Sequence, residues 1–156
     1  MPTFVTWRTC KRMLLLFWAV WLSLVVATNL ADALRSAGLL AADFSFASGN
    51  YATILEVTSP AGLPAWATVG MFAGVIAWEA ASMLLFWIAA LSYPTSGQRH
   101  KWLPLTFTVG LGLWAAFQIA CEALPSLLAY QLAGTHRLLF TEQLATLLAI
   151  MLLPDD

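Results

Sequence analysis

The sequence predicts an all-α, polytopic membrane protein: a four-transmembrane-helix bundle with short outer interfacial helices. Two observations carry that prediction. Hydrophobic residues make up 61% of the 156 residues and charged residues only 10%, whereas a soluble domain carries about 45–50% and about 25%. The charges are also gathered, leaving apolar runs near the length of about 20 residues that a helix needs to cross a bilayer. The same composition excludes an ordinary soluble enzyme and a disordered tail. Seven Lys/Arg against eight Asp/Glu, a net charge of −1, leave no basic surface to neutralise phosphates, so nucleic acid is not expected as a partner.

Each span follows from where the charges fall. Met13 to Ala31 is free of charge over 19 residues and forms span one, about 13–31. Between Val57 and Gln98 the only charged residue is Glu79, which allows span two, about 66–91. Trp102 to Cys121 contains 20 uncharged residues and forms span three, about 102–121. The last run contains Glu142 and reaches the necessary length only when begun at Thr135, giving span four, about 135–153. No repeat, low-complexity tract or linker divides the chain, so residues 1–156 read as a single membrane domain.

Two outer connections are more than linkers. Residues 50–57 begin with an N-cap candidate, Asn50, continue with apolar residues at helical spacing, and meet Ser59-Pro60. This pattern fits a short helix lying on the membrane surface. After span three, Leu124, Leu127, Leu128 and Leu132 keep the chain apolar to Gly134. One straight helix from 102 to 132 would be about 46 Å long, well beyond the bilayer core. A kink or break at Pro125 is therefore expected, with the second part lying along the outer surface.

Lys and Arg set the orientation. With the N-terminus inside, Arg8, Lys11, Arg12, Arg99 and Lys101 lie on the inner side and Arg35 and Arg137 on the outer. Five against two is a positive-inside bias, which puts both termini in the cytoplasm. The basic start, the apolar core and Ala31-Asp32-Ala33 also outline a signal peptide. The apolar stretch is longer than the usual ~7–15 residues, contains Trp18 and Trp21, and is followed by further spans, so its retention as span one is expected.

The inventory of reactive groups is thin. Cys10 and Cys121 are assigned to opposite sides of the membrane and have no CxxC neighbour, so disulfide, zinc and redox readings fall away. His100 and His136 also sit at opposite span ends, which excludes a bis-histidine haem between helices of one chain. No GxSxG, HExxH or nucleotide fingerprint occurs. Neither catalysis nor a cofactor is expected.

The polar residues within the spans are the informative ones. An Asp at a span centre costs about 2.5–3.5 kcal/mol to insert, and a Glu is comparable. Glu79 lies beside the midpoint of span two, so it must face a bundle interior or a wet cavity, or stay protonated. At 100° per residue, Gly70, Gly74, Ala77 and Ala81 form a small-residue packing stripe on the opposite side of that helix from Glu79. Either the helix is central to the bundle, or one face awaits a partner subunit. Gln118 and Glu122 share a face four residues apart. Together with Asn29, Asp32 and Glu142 they form a candidate polar cluster in the outer half, with Arg35, His136 and Arg137 as counter-charges. Trp7, Trp66 and Trp102 fall at membrane interfaces. Trp18, Trp21, Trp78, Trp87 and Trp114 lie deeper and read as packing or lipid contacts.

Thr28-Asn29-Leu30-Ala31-Asp32, then Ala77-Trp78-Glu79-Ala80, then Phe117-Gln118-Ile119-Ala120-Cys121-Glu122 occur in an order that resembles a family of small bacterial integral membrane proteins, a domain-of-unknown-function family. Thr28-Asn29 stands where the family pattern has two consecutive asparagines. The resemblance implies four spans and marks Asn29, Asp32, Glu79 and Glu122 as positions to test, without implying an activity. The expectation is a non-enzymatic accessory or interaction subunit of a larger membrane complex, with lipids and other membrane subunits as partners. The alternative is a small transporter or proton-linked channel using Glu79, with Glu122 and Glu142 as an outer vestibule.

Overall fold

The computed structural model describes residues 6–93, 100–123 and 127–154, and among these it is all helix, with no strand. Five α-helices follow one another: α1 (Trp7–Ser36), α2 (Asn50–Thr58), α3 (Ala65–Leu91), α4 (Leu103–Ala123) and α5 (Leu127–Leu152). A single 3₁₀ turn, Ser59–Ala61, follows α2. The helices α1, α3 and α4 are long and apolar enough to cross a membrane.

The boundaries have local causes. The Thr6 hydroxyl accepts the Thr9 backbone N–H at 3.2 Å and so caps the start of α1. At its other end Gly38 takes φ +74°, Gly38 N–H donates to Arg35 O, and Leu39 N–H donates to Leu34 O. This is a Schellman stop, which glycine forms without a β-carbon penalty. Because the stop comes at Gly38, α1 overruns the charge-free stretch at both ends and carries Asn29 and Asp32 inside its last turns. Pro104 is accommodated in the first turn of α4, where its missing N–H leaves no helical bond unmade.

The core joins all four long helices. Leu15, Trp18 and Leu22 of α1 pack with Phe86 and Ala89 of α3, Phe107 and Leu113 of α4, and Ile150 of α5. Trp18 and Phe86 have their ring centroids 6.2 Å apart, and Phe86 meets Phe107 edge-on at 5.3 Å. Ties between helices come largely from tryptophan N–H groups. Trp18 donates to Thr146 Oγ1, Trp87 to Ser23 Oγ and Trp78 to the Val109 carbonyl, each at 3.0 Å. Since Ile150 packs near Leu15, α5 returns alongside α4 to the end of the bundle where α1 begins.

Three expectations are corrected. Residues 127–134 do not form a separate surface helix: they are the first turns of α5, which runs unbroken to Leu152. Just beyond this section α5 is held against α4, since the His136 ring stacks on Phe117 at 4.5 Å. The kink expected at Pro125 lies outside the described residues. Among the described residues three helices, not four, combine length with apolarity. The helix α5 is long enough, but Thr135, His136, Arg137, Thr141, Glu142 and Gln143 lower its hydropathy. Finally, Asn50 is not the cap of α2. That place belongs to Gly49 at φ +80°, and Asn50 is already helical.

The helices α4 and α5 meet closely at Gly110. A β-carbon there would stand 2.6 Å from Gln143 Oε1, with Gln143 itself fully buried. A β-carbon at Gly70 or Gly74 of α3 would meet nothing within 4 Å. Gly110→Leu is therefore expected to destabilise the bundle by about 1–3 kcal/mol through overpacking. Gly70→Leu and Gly74→Leu are expected to leave thermal unfolding in mild detergent unchanged or raised, because Leu is the better helix former. Equal melting of all three variants would contradict this packing.

Candidate functional site

Glu79 sits at the middle of α3, is only 4% exposed and faces α1. Its Oε2 accepts the Asn29 amide N–H at 2.7 Å. Asn29 Oδ1 in turn accepts the Asn50 amide N–H, also at 2.7 Å. The result is a directed chain in which Asn50 donates to Asn29 and Asn29 donates to Glu79, ending on the carboxyl. The other oxygen, Oε1, has no hydrogen-bond partner among the described residues.

One turn further along α1, Asp32 is fully buried and forms a second cluster. Its Oδ1 pairs with Arg35 at 2.6 Å, while Oδ2 accepts the Tyr51 backbone N–H at 2.8 Å and the Ser48 hydroxyl at 3.3 Å. A carboxylate thus sits at the N-terminus of α2, where the helix dipole and free N–H groups favour negative charge. With Asn29 and Asp32 both reaching across, α2 is fixed against α1. Thr58 and Thr68, both buried and 3.1 Å apart through their hydroxyls, tie its far end to α3.

Behind this scaffold lies a partly open cavity of about 320 Å³ lined by residues of all five helices. Its wall is mainly apolar and aromatic: Trp21, Phe72, Trp114, Phe117 and Leu139 line it, and Glu79, His136, Cys121 and Asn50 provide polar atoms. The rings run as a series. Trp21 meets Trp114 at 5.9 Å, Trp114 stacks on Phe117 at 6.0 Å, and Phe117 stacks on His136. His136 Nδ1 lies 3.5 Å from Cys121 Sγ. Among the described residues no Lys or Arg lines this cavity. An apolar pocket with a few convergent polar groups is the usual form of a small-molecule site. Among the described residues no group of three or more His, Cys, Asp or Glu is placed to hold a metal ion.

The residues of the expected outer cluster therefore separate. Asn29, Asp32 and Glu79 come together, bridged by the start of α2. Glu122 pairs with Arg137 at 2.8 Å, but both are exposed, and such a pair contributes about 0–1 kcal/mol. Gln118 turns back on its own helix, with Nε2 3.5 Å from the Trp114 carbonyl. Glu142 is exposed, and the buried polar residue is its neighbour Gln143, whose amide has no hydrogen-bond partner. The stripe of Gly70, Gly74, Ala77 and Ala81 is exposed along α3.

Sequence reasoning took Asn50 only as a helix cap and did not single out Gln143 or the cavity. The signal for Gln143 was an uncharged amide in an apolar segment, and for its neighbour Gly110 a lone glycine in span three. Asp32→Ala is expected to cost the start of α2 about 0.5–2 kcal/mol. Amide hydrogen exchange at residues 51–53 should then speed up by about 2- to 30-fold, with α4 unaffected. Unchanged exchange would show that the carboxylate does not hold α2. Comparison of the chain with protein-family models, with curated proteins and with solved structures finds no match.

Proposed function

We propose that the chain is a non-enzymatic integral membrane protein acting as an interaction subunit of a larger membrane complex. The observation that carries this reading is the division of α3 into two faces. Glu79 and Phe72 are buried against the rest of the bundle, whereas Gly70, Gly74, Ala77 and Ala81 are uncovered. Small residues in a row let another helix approach closely enough for backbone contact, the main source of helix association in lipid. The three apolar helices support the membrane assignment. The positive-inside bias, with the return of α5 to the start of α1, supports a cytoplasmic location for both termini. The resemblance to small bacterial membrane proteins fits an inner-membrane setting.

Extraction in a gentle detergent followed by mass determination tests this. The wild-type chain is expected in a particle heavier than one chain with its detergent, and Gly70→Leu/Gly74→Leu is expected to release it as a monomer of unchanged melting temperature. A wild-type monomer would overturn the proposal. One observation favours a second reading, a small transporter or proton-linked channel: the carboxyl of Glu79 borders a cavity. In that case Glu79→Gln abolishes pH-dependent flux into liposomes, and unchanged flux excludes it.

A further inference from the structure

We propose that the cavity between α2 and the long helices is a binding site for a lipophilic ammonium compound, its cationic nitrogen seated on Glu79 and its apolar body against the aromatic wall. This goes beyond both readings above, since it requires neither a partner chain nor transport.

The inference rests on what Glu79 has and what it lacks. Its Oε2 takes the end of the Asn50–Asn29 chain, so that oxygen is held in place by a neutral donor. Among the described residues its Oε1 has no donor, and Glu79 is the one formally charged side chain lining the cavity. Two arginines of the helices that line the cavity, Arg35 of α1 and Arg137 of α5, are engaged elsewhere, with Asp32 and Glu122. A carboxylate in apolar surroundings is costly unless it is paired, and within this cavity the missing partner is a cation that can donate a hydrogen bond. Such a charge-assisted bond is about twice as strong as a neutral one.

The walls select the rest of the ligand. Trp21, Trp114 and Phe117 form a continuous series of rings, and aromatic faces attract ammonium groups as well as apolar bodies. A volume of about 320 Å³ accommodates a compact amphiphile but not a phospholipid. An anionic amphiphile would bring a second negative charge against Glu79 with no cation to relieve it.

The test uses the full chain in nanodiscs of zwitterionic lipid and radiolabelled dodecylamine, dodecanol and dodecanoate as probes. The amine is expected to bind saturably at one per chain, above the partitioning measured in protein-free nanodiscs, and dodecanol and dodecanoate are not. Glu79→Gln keeps the Asn29 hydrogen bond but removes the charge, and should weaken amine binding by about tenfold or more. Ala120→Phe fills the cavity from α4 without touching Glu79 and should weaken it as well, which covers the event that Glu79→Gln fails to fold. Equal binding of amine by the wild type and Ala120→Phe would overturn the proposal. Saturable binding of dodecanol or dodecanoate at matching affinity would overturn it too, assigning the cavity to a neutral or acidic amphiphile.

Discussion

A carboxyl group in the middle of an apolar helix has to be satisfied from within the protein, and much of this structure is arranged around that requirement. Glu79 is covered by α1, and Asn29 supplies its hydrogen bond. Because that bond is short and both groups are buried, it fixes the register of α1 on α3 to within a turn. The demand then passes outward. Asn29, having donated, has a free carbonyl oxygen, and Asn50 fills it, which draws the start of α2 into the bundle. A single acid placed by the sequence thereby positions an element 29 residues away from it in the chain.

Elsewhere the helices are held by the same kind of contact on a smaller scale. In lipid, burial of apolar surface between helices brings little gain, so close packing and hydrogen bonds between helices carry the association. Trp18, Trp78 and Trp87 each reach a partner helix with the indole N–H, Trp18 from a buried ring, Trp87 from a half-buried one and Trp78 from an exposed one. The Thr146 hydroxyl both accepts from Trp18 and donates to the Glu142 carbonyl, which lets a polar residue sit at a helix contact without an unmet group. Gly110 and Gln143 make a close approach between α4 and α5.

Much of this was legible in the chain, and the limits have physical reasons. The spans placed at 66–91 and 102–121 nearly coincide with α3 and α4, because unbroken apolar runs bounded by charge have one helical solution. The two faces of α3 were readable from a 100° rotation per residue. The separate helix expected before span four was a length argument built on Pro125. It missed that α5 needs no break, since Phe117 and Cys121 on α4 give His136 something to pack on. The single outer cluster was an argument from depth alone. Depth says how far along the bundle a residue lies but not which way it points, and of Glu142 and Gln143, neighbours in sequence about 100° apart on the helix, one is exposed and the other buried.

The sequence by itself determined the helical class, the apolar character of three long helices and the isolation of Glu79, since these depend only on the order of charges and on the backbone's need for internal hydrogen bonds. The tertiary structure alone decided which atoms meet Glu79, that the small-residue stripe lies open, and that five helices line a cavity walled by aromatic rings. Those outcomes depend on the azimuth of each helix about its own axis. Azimuth is set by contacts between residues distant in the chain, such as Asn29 with Glu79 and Gly110 with Gln143, and no local pattern records it.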